Sequence, residues 1–350
     1  MKKVLMFSLI FSCILIFIAP SMLAVEEPTF TDASVHDPSV LYTNHTYYVF
    51  GSHLAAAKTN NLMNWEQIEG DGVHPGNSLF EDVTKELEEA LTWAKTDTLW
   101  APDMIQLKSD GKYYMYYNAC EGSSPPRSAM GIAVANHPKG PYQDLGLILR
   151  SGMTAGGESA TIDGTPPYDD AHFPEIYDAT IHPNVVDPDV FYDEEGKLWM
   201  VYGSYSGGIF ILELDPDTGF PIPNQGYGKK LLGGNHSRIE APYIVYNKTT
   251  DYYYLYLSYG GLASDGGYNV RVARSENPDG PYTDIQGNNM IQAKGKMGHF
   301  LMMSPLHRPG RSLLVITSSK SYSGRLEKQL VMSHQDITLF IMMKRLDSSF

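Results

Sequence analysis

Cysteine is nearly absent from this sequence. Only Cys13 and Cys120 occur in 350 residues. Cys13 sits in an apolar run at the N-terminus, so removal of that run leaves Cys120 alone. An intramolecular disulfide is then excluded, and packing or a bound ion must hold the fold. Positive charge is scarce as well: 26 Lys and Arg stand against 40 Asp and Glu, a formal net charge of −14. Nucleic acid and anionic membrane surfaces both require a basic face, so neither is an expected partner. A neutral or positively charged partner fits better.

Long apolar runs are missing beyond the first residues. Lys2 and Lys3 precede an apolar stretch from Val4 to Ile18, followed by Pro20 and small residues up to Ala24. This is the pattern of a secretory signal peptide spanning residues 1–24. A membrane anchor is the alternative, but the run falls short of the ~20 residues that a span needs. Acylation of Cys13 is set aside because Ile10-Phe11-Ser12 is a poor lead-in. The expected protein is secreted, extracellular and monomeric. About 326 residues remain after cleavage, enough for one large domain or two ordinary ones, and nothing resembles a linker.

Tyrosine, by contrast, is abundant at 24 residues, with 32 Gly and 22 Pro. A Pro-led strand, a short polar turn and an aromatic strand recur four times. They run Pro38 to Phe50, Pro102 to Tyr117, Pro188 to Tyr202 and Pro242 to Tyr256. Asp110-Gly111 and Glu195-Gly196 supply hairpin turns, where Gly provides the positive φ that a tight turn needs. A second repeat follows two of the hairpins: Ile132 to Ala135 with Gly140-Pro141-Tyr142, and Val270 to Arg274 with Gly280-Pro281-Tyr282. Several strands per unit with no helical periodicity between them predict an all-β propeller. A β-sandwich is the runner-up, but it leaves the paired hairpins unexplained. The stretch from Gly152 to Asn184 breaks the period and reads as a loop decorating one face.

The residues ahead of each repeated Pro should converge on the propeller axis. Asp37 precedes Pro38, Asp187 precedes Pro188, and Glu240 lies two residues before Pro242. Glycosidic bond hydrolysis needs one carboxylic acid to protonate the leaving oxygen and one carboxylate to act on water or on the sugar. A third carboxylate can hold the acid's pKa up. Two other readings stay open: Asp before Pro is a common turn starter, and clustered carboxylates also bind hard cations such as calcium.

These residues carry a family resemblance. His36-Asp37-Pro38-Ser39-Val40, Leu99-Trp100-Ala101-Pro102-Asp103, Val186-Asp187-Pro188 and Arg238-Ile239-Glu240-Ala241-Pro242-Tyr243 together resemble glycoside hydrolase family 43, specifically its endo-1,5-α-L-arabinanases. Gly203 to Phe210 and Leu257 to Arg274 look like the same group. The resemblance runs from about Asp37 to Met297. It implies a five-bladed propeller that hydrolyses arabinan, a neutral side chain of plant pectin, with inversion. Asp37 would be the general base, Glu240 the general acid, and Asp187 the residue that tunes and orients the acid. An inverting pair should stand ~6.5 to 9.5 Å apart. Asn184, Ser204 and Tyr205 match positions where the family contacts the polymer. Trp100 is a candidate stacking platform or a core residue at a blade end, and His36 orients Asp37 or packs.

The pattern fails after about Met297, although a fifth blade is needed to close the ring. Residues 25–298 therefore read as the catalytic propeller with four recognisable blades, and 299–350 as a segment that does not match the family. Back-translation of Leu330 to Leu346, read from the third base of each codon, permits G-Y-V-S-P-G-H-N-S-V-Y-Y-D-E-K-T-G, the missing hairpin. Its D-E pair is forced, because Met342 and Met343 have one codon each and Lys344 begins with two adenines. From His299 the same frame permits F-L-D-D-V-S-I-A-P. A single-base frameshift near His299 explains both strings. The resemblance also implies a structural metal ion, calcium by expectation, held partly by the His of G-H-N-S. His299, His307 and His334 are not equivalents of that His, so no metal ligand is assigned in this chain. The chemistry itself requires no cofactor. Relatives often carry a further small β-domain, with no counterpart legible here. Competing readings are an exo-acting arabinofuranosidase or β-xylosidase, a non-catalytic sugar-binding propeller, and a defective relic.

Overall fold

The computed structural model describes residues 30–70, 72–123, 125–152, 177–262 and 266–293. Four antiparallel sheets follow one another along the chain. The first comprises β1 (Ser39–Thr43), β2 (Thr46–Phe50), β3 (Ala56–Thr59) and β4 (Glu66–Glu69). The second comprises β5 (Leu99–Gln106), β6 (Tyr113–Glu121), β7 (Arg127–Ala135) and β8 (Gln143–Arg150). The third comprises β9 (Asp189–Tyr192), β10 (Leu198–Tyr202), β11 (Ile209–Leu214) and β12 (Lys229–Leu232). The last has three strands, β13 (Ile239–Asn247), β14 (Tyr252–Tyr259) and β15 (Asn269–Ser275), extended by bridges from Arg274 to Thr283 and from Thr283 to Asn289. These are four blades of a β-propeller, each a meander in sequence order. All four repeated hairpins form the first two strands of a blade. The residues assigned to a fifth blade and to the signal peptide lie outside the described residues, as do 153–176 of the long loop.

The aromatic strand of blade 2 reads as an unbroken apolar run because that blade is buried on both faces, whereas β14 of blade 4 alternates buried and half-buried residues. In β6, Met115 and Tyr117 pack toward blade 1, beside Leu41 and Phe50. Tyr114 and Tyr116 turn the other way, toward Met200 and Tyr202 of blade 3. In β10, Val201 faces blade 4 and packs with Ile244, Leu255 and Leu257. Successive residues thus serve alternate interfaces, the period-two geometry of a strand. Tyrosine suits these layers because its ring fills the interface while its hydroxyl finds a partner at the rim. Tyr116 donates to the Gly219 carbonyl at 2.7 Å and Tyr202 to the Tyr227 carbonyl at 2.8 Å.

A polar clasp repeats between blades, one residue after the repeated Pro. The Ser39 hydroxyl oxygen accepts the Met104 N–H at 3.0 Å and donates to Asp103 Oδ1 at 2.7 Å. Asp103 Oδ2 accepts the Val190 N–H at 2.7 Å, and Asp189 Oδ2 accepts the Ile244 N–H at 2.8 Å. Ser39, Asp103 and Asp189 are all buried. Each blade therefore satisfies a backbone donor of the next, at a register that the Pro-led motif fixes.

One expectation needs correction. Between blades 1 and 2 the chain forms two short helices, α1 (Val83–Glu86) and α2 (Glu88–Ala94). Val83, Leu87, Ala90 and Ala94 are fully buried, and Trp93 nearly so. Their spacing of three and four residues is helical, so a periodicity was present in a segment read as having none. Trp93 donates through Nε1 to the Ser128 carbonyl, and Arg127 lies over its ring, which docks the helix on β7.

Candidate active site

The three acids reach one cavity because of an unusual backbone turn at the head of each inner strand. Asp37 has φ 50°, Asp187 has φ 56° and Ala241 has φ 49°, all left-handed, and each is followed by Pro. That conformation is costly for a residue with a Cβ and concentrates where geometry is functionally constrained. In blade 4 the left-handed position belongs to Ala241. Glu240 therefore stands one residue earlier than Asp37 and Asp187, at a bulge in the β13–β14 register between Glu240 and Tyr243. The bulge re-aims its side chain, and the longer Glu reaches the same hub. In blade 2 the matching register shift lies between Trp100 and Asp103, and Trp100 takes the place of the acid.

Asp37, Asp187 and Glu240 line a cavity of about 350 Å³, together with Trp100, Ser204 and His53. Asp37 is held from below: Ser52 donates through Oγ to its Oδ2 at 2.6 Å, and the Ser52 N–H bonds the His36 carbonyl at 2.8 Å. Nε2 of His36 lies 3.4 Å from the same Oδ2, in keeping with an orienting role. Gly51 permits this approach. A Cβ there would stand 2.0 Å from the His36 carbonyl oxygen.

Asp187 is tied to blade 4, its Oδ2 accepting the Ala241 N–H at 3.1 Å. Burial pushes its carboxyl well above the ordinary range, and the charges of Glu240 and Asp37 push the same way, while the Ala241 bond opposes them. Glu240 is also raised, first by burial and then by Asp37. Three hydroxyls pull it back: Tyr268 donates to Oε1 at 2.7 Å, Ser204 to Oε2 at 2.8 Å, and Tyr205 adds a weaker bond. Both carboxyls are thus raised by burial and by neighbouring charge, and their titrations interact.

Of the residues expected to touch substrate, Trp100 and Ser204 line the cavity. Ser204 is engaged with Glu240. Tyr205 stands beside Glu240 and donates through its hydroxyl to the Gly260 carbonyl at 3.0 Å. Asn184 is buried among core residues, its side chain against Cys120 Sγ at 3.8 Å, and does not line this cavity. Sequence reasoning missed Ser52, His53 and Tyr268. Ser52 follows the first aromatic strand by two residues, and Tyr268 precedes β15 by one, so neither falls in the motifs that flag the acids. Among the described residues, no three His, Cys, Asp or Glu side chains are grouped to hold one metal ion, and the segment to which the resemblance assigns the metal's His lies outside them.

Carboxyls from three blades thus share one cavity, the residue types that glycosidic hydrolysis uses. The chain belongs to glycosyl hydrolase family 43, whose profile matches residues 28–173 and 167–322. It is 60% identical over 287 residues to extracellular endo-α-(1→5)-L-arabinanase 2 of Bacillus subtilis, covering 82% of this chain and 58% of that protein. Identity to the extracellular endo-α-(1→5)-L-arabinanase of Thermotoga petrophila is 54% over 275 residues, covering 78% and 56%. A crystal structure of a family 43 glycoside hydrolase from Bacillus licheniformis superposes with a TM-score of 0.68 at 62% identity, over 78% of this chain and 58% of that one. The T. petrophila endo-1,5-α-L-arabinanase structure gives 0.66 at 53% identity, over 75% and 56%. The chain thus spans a little over half the length of these relatives.

Proposed function

We propose that this chain is built to hydrolyse α-1,5-L-arabinofuranosidic bonds within arabinan, with inversion. The convergence of Asp37, Asp187 and Glu240 on one cavity carries the reading. Asp37 is the general base: exposed enough to meet water, and oriented by Ser52 and His36. Glu240 is the general acid, its proton held above the ordinary carboxyl range by burial and by Asp37. Asp187 tunes and orients that acid through its charge and its bond to the neighbouring Ala241. Water attacks the anomeric carbon from the Asp37 side while Glu240 protonates the departing oxygen from the other. Trp100 offers a flat face to a sugar ring at the cavity wall. Endo action is favoured over exo by the names of the two relatives above 50% identity, and an open cavity suits a polymer.

Secretion belongs to the same proposal, with residues 1–24 as the signal peptide and relatives named extracellular in support. So do a monomeric state and a fifth blade supplied in intact relatives where 299–350 stands here. On this reading the gene descends from an intact enzyme and a single-base shift near His299 garbled the closing blade, together with the His that would help to hold calcium. The test is arabinan hydrolysis by the chain as printed and by a frame-restored version, each beside its Glu240→Gln variant. Activity confined to the restored version, and lost by at least about a hundredfold in Glu240→Gln, is the expected result. Equal activity of both versions would overturn the frameshift account, and an active Glu240→Gln would overturn the acid assignment.

A further inference from the structure

We propose that Tyr268, backed by Ser258, is the positioning residue of the acid: through Oε1 it fixes the carboxyl of Glu240 in the orientation from which the proton is delivered. The inference rests on the reading of Glu240 as general acid. Three observations carry it. Tyr268 Oη donates to Oε1 of Glu240 at 2.7 Å, across the cavity wall that both residues line. Ser258 is the cross-strand partner of Glu240 in the β13–β14 register, is buried, and hydrogen-bonds the Tyr268 side chain. Ser204 holds the other oxygen, Oε2, at 2.8 Å. The carboxyl plane is thus gripped at both oxygens, from blade 3 and from the strand next to Glu240's own hairpin.

The chemistry explains why such a grip is useful. Burial and the neighbouring Asp37 both raise the Glu240 carboxyl, and an acid that holds its proton too tightly is a poor catalyst. Proton transfer is fastest when the acid's pKa lies near the working pH. A hydroxyl donated to the carboxylate stabilises the ionised form and opposes the effect of burial. Tyr268 can do so without being consumed, since its own ionisation is pushed far out of range by burial and by Glu240. Its ring, anchored by Ser258, is also more rigid than a serine or water donor would be.

The test is Tyr268→Phe, which removes one oxygen, with Ser258→Ala as a second variant, in the full chain. Selectively labelled Glu carboxyls are titrated by carbon NMR, and the Glu240 signal is assigned by its loss in Glu240→Gln. The midpoint for Glu240 is expected to move to higher pH in Tyr268→Phe and less far in Ser258→Ala. In the frame-restored enzyme, the alkaline limb of kcat/KM should move the same way and kcat fall about tenfold, with KM little changed. An unmoved or lowered midpoint overturns the inference, because a purely structural role would lower activity at every pH alike. If Glu240→Gln stays active, the reading of Glu240 as the acid fails instead, and the NMR midpoint still decides whether Tyr268 acts on that carboxyl.

Discussion

Asp187 is fastened to the residue that follows Glu240: its Oδ2 accepts the Ala241 N–H at 3.1 Å, which locks blade 3's acid to blade 4's. Ionised Asp187 costs the protein stability at neutral pH because it is buried beside two other carboxyls, and the Ala241 bond offsets only part of that cost. Folding raises the carboxyl of Asp187, so the folded state binds more protons than the unfolded one. Its favourable contribution is complete below the ordinary carboxyl pKa of ~3.9 and is lost as pH rises through the raised value. Asp187→Asn keeps an acceptor for Ala241 and removes the charge. Thermal unfolding should show the variant more stable at pH 7, on the order of 1 kcal/mol or about 2–4 °C. At pH 3.5 the difference should vanish, and arabinan hydrolysis should be lost at both.

Asp103 joins three blades, with Ser39 on one oxygen and Val190 on the other. Truncation to Ala would leave a buried hydroxyl and a buried N–H without their acceptor, at about 1–3 kcal/mol for each group. Asp103→Ala is expected to lower the free energy of unfolding by about 2–6 kcal/mol in equilibrium urea unfolding. Asp103→Asn, which retains one acceptor, should lose roughly half as much.

Gly51 is required by close approach and not by a turn, since its backbone is extended at φ −155°. The added methyl of Gly51→Ala must displace the His36 carbonyl and with it Asp37. Loss of about 1–3 kcal/mol of stability and at least about tenfold in kcat is expected, measured by melting and by initial rates of the frame-restored enzyme on arabinan.

Trp100 occupies in blade 2 the place that acids take in the neighbouring blades, at the cavity wall. If its ring carries a sugar, Trp100→Ala should raise KM about tenfold, close to 1.4 kcal/mol, with kcat changed less. A Trp serving only the core would instead lower the melting temperature and leave KM alone.

The stereochemical course is open to direct measurement. Proton NMR of the first product formed by the frame-restored enzyme should show the β-anomer of the new reducing end before mutarotation, as inversion of an α-linkage demands. Initial accumulation of the α-anomer would assign a retaining course and remove Asp37 from its role as base.

Much of this molecule was written in the sequence. The Pro-led hairpins are local: strand alternation, Asp110-Gly111 and Glu195-Gly196 need only nearby residues to specify turn and register, and all four appear as read. The acids were legible because each sits one or two residues ahead of a repeated Pro. Val83, Leu87, Ala90 and Ala94 also wrote their helix in plain spacing, but the segment is short and lies between two β-repeats, where the surrounding pattern dominated.

What the tertiary structure alone decided is everything that depends on one blade lying against the next. No local rule links Ser39 to Asp103 or Asp103 to Val190, because the pairing arises only when adjacent sheets stack with their Pro-led strands in step. Ala241 takes the left-handed turn in place of an acid, which shifts Glu240 by one residue, and only the bulge in β13 reveals why an equivalent role falls at a different offset. Ser204, expected at the sugar, lines the cavity and also donates to Glu240, a bond that no local pattern reveals. Tyr268 was invisible because its partner is 28 residues away in sequence. Local sequence fixes which backbone shapes are affordable; the convergence of carboxyls and hydroxyls from separate blades on one cavity, and the proton affinity this gives them, exist only in three dimensions.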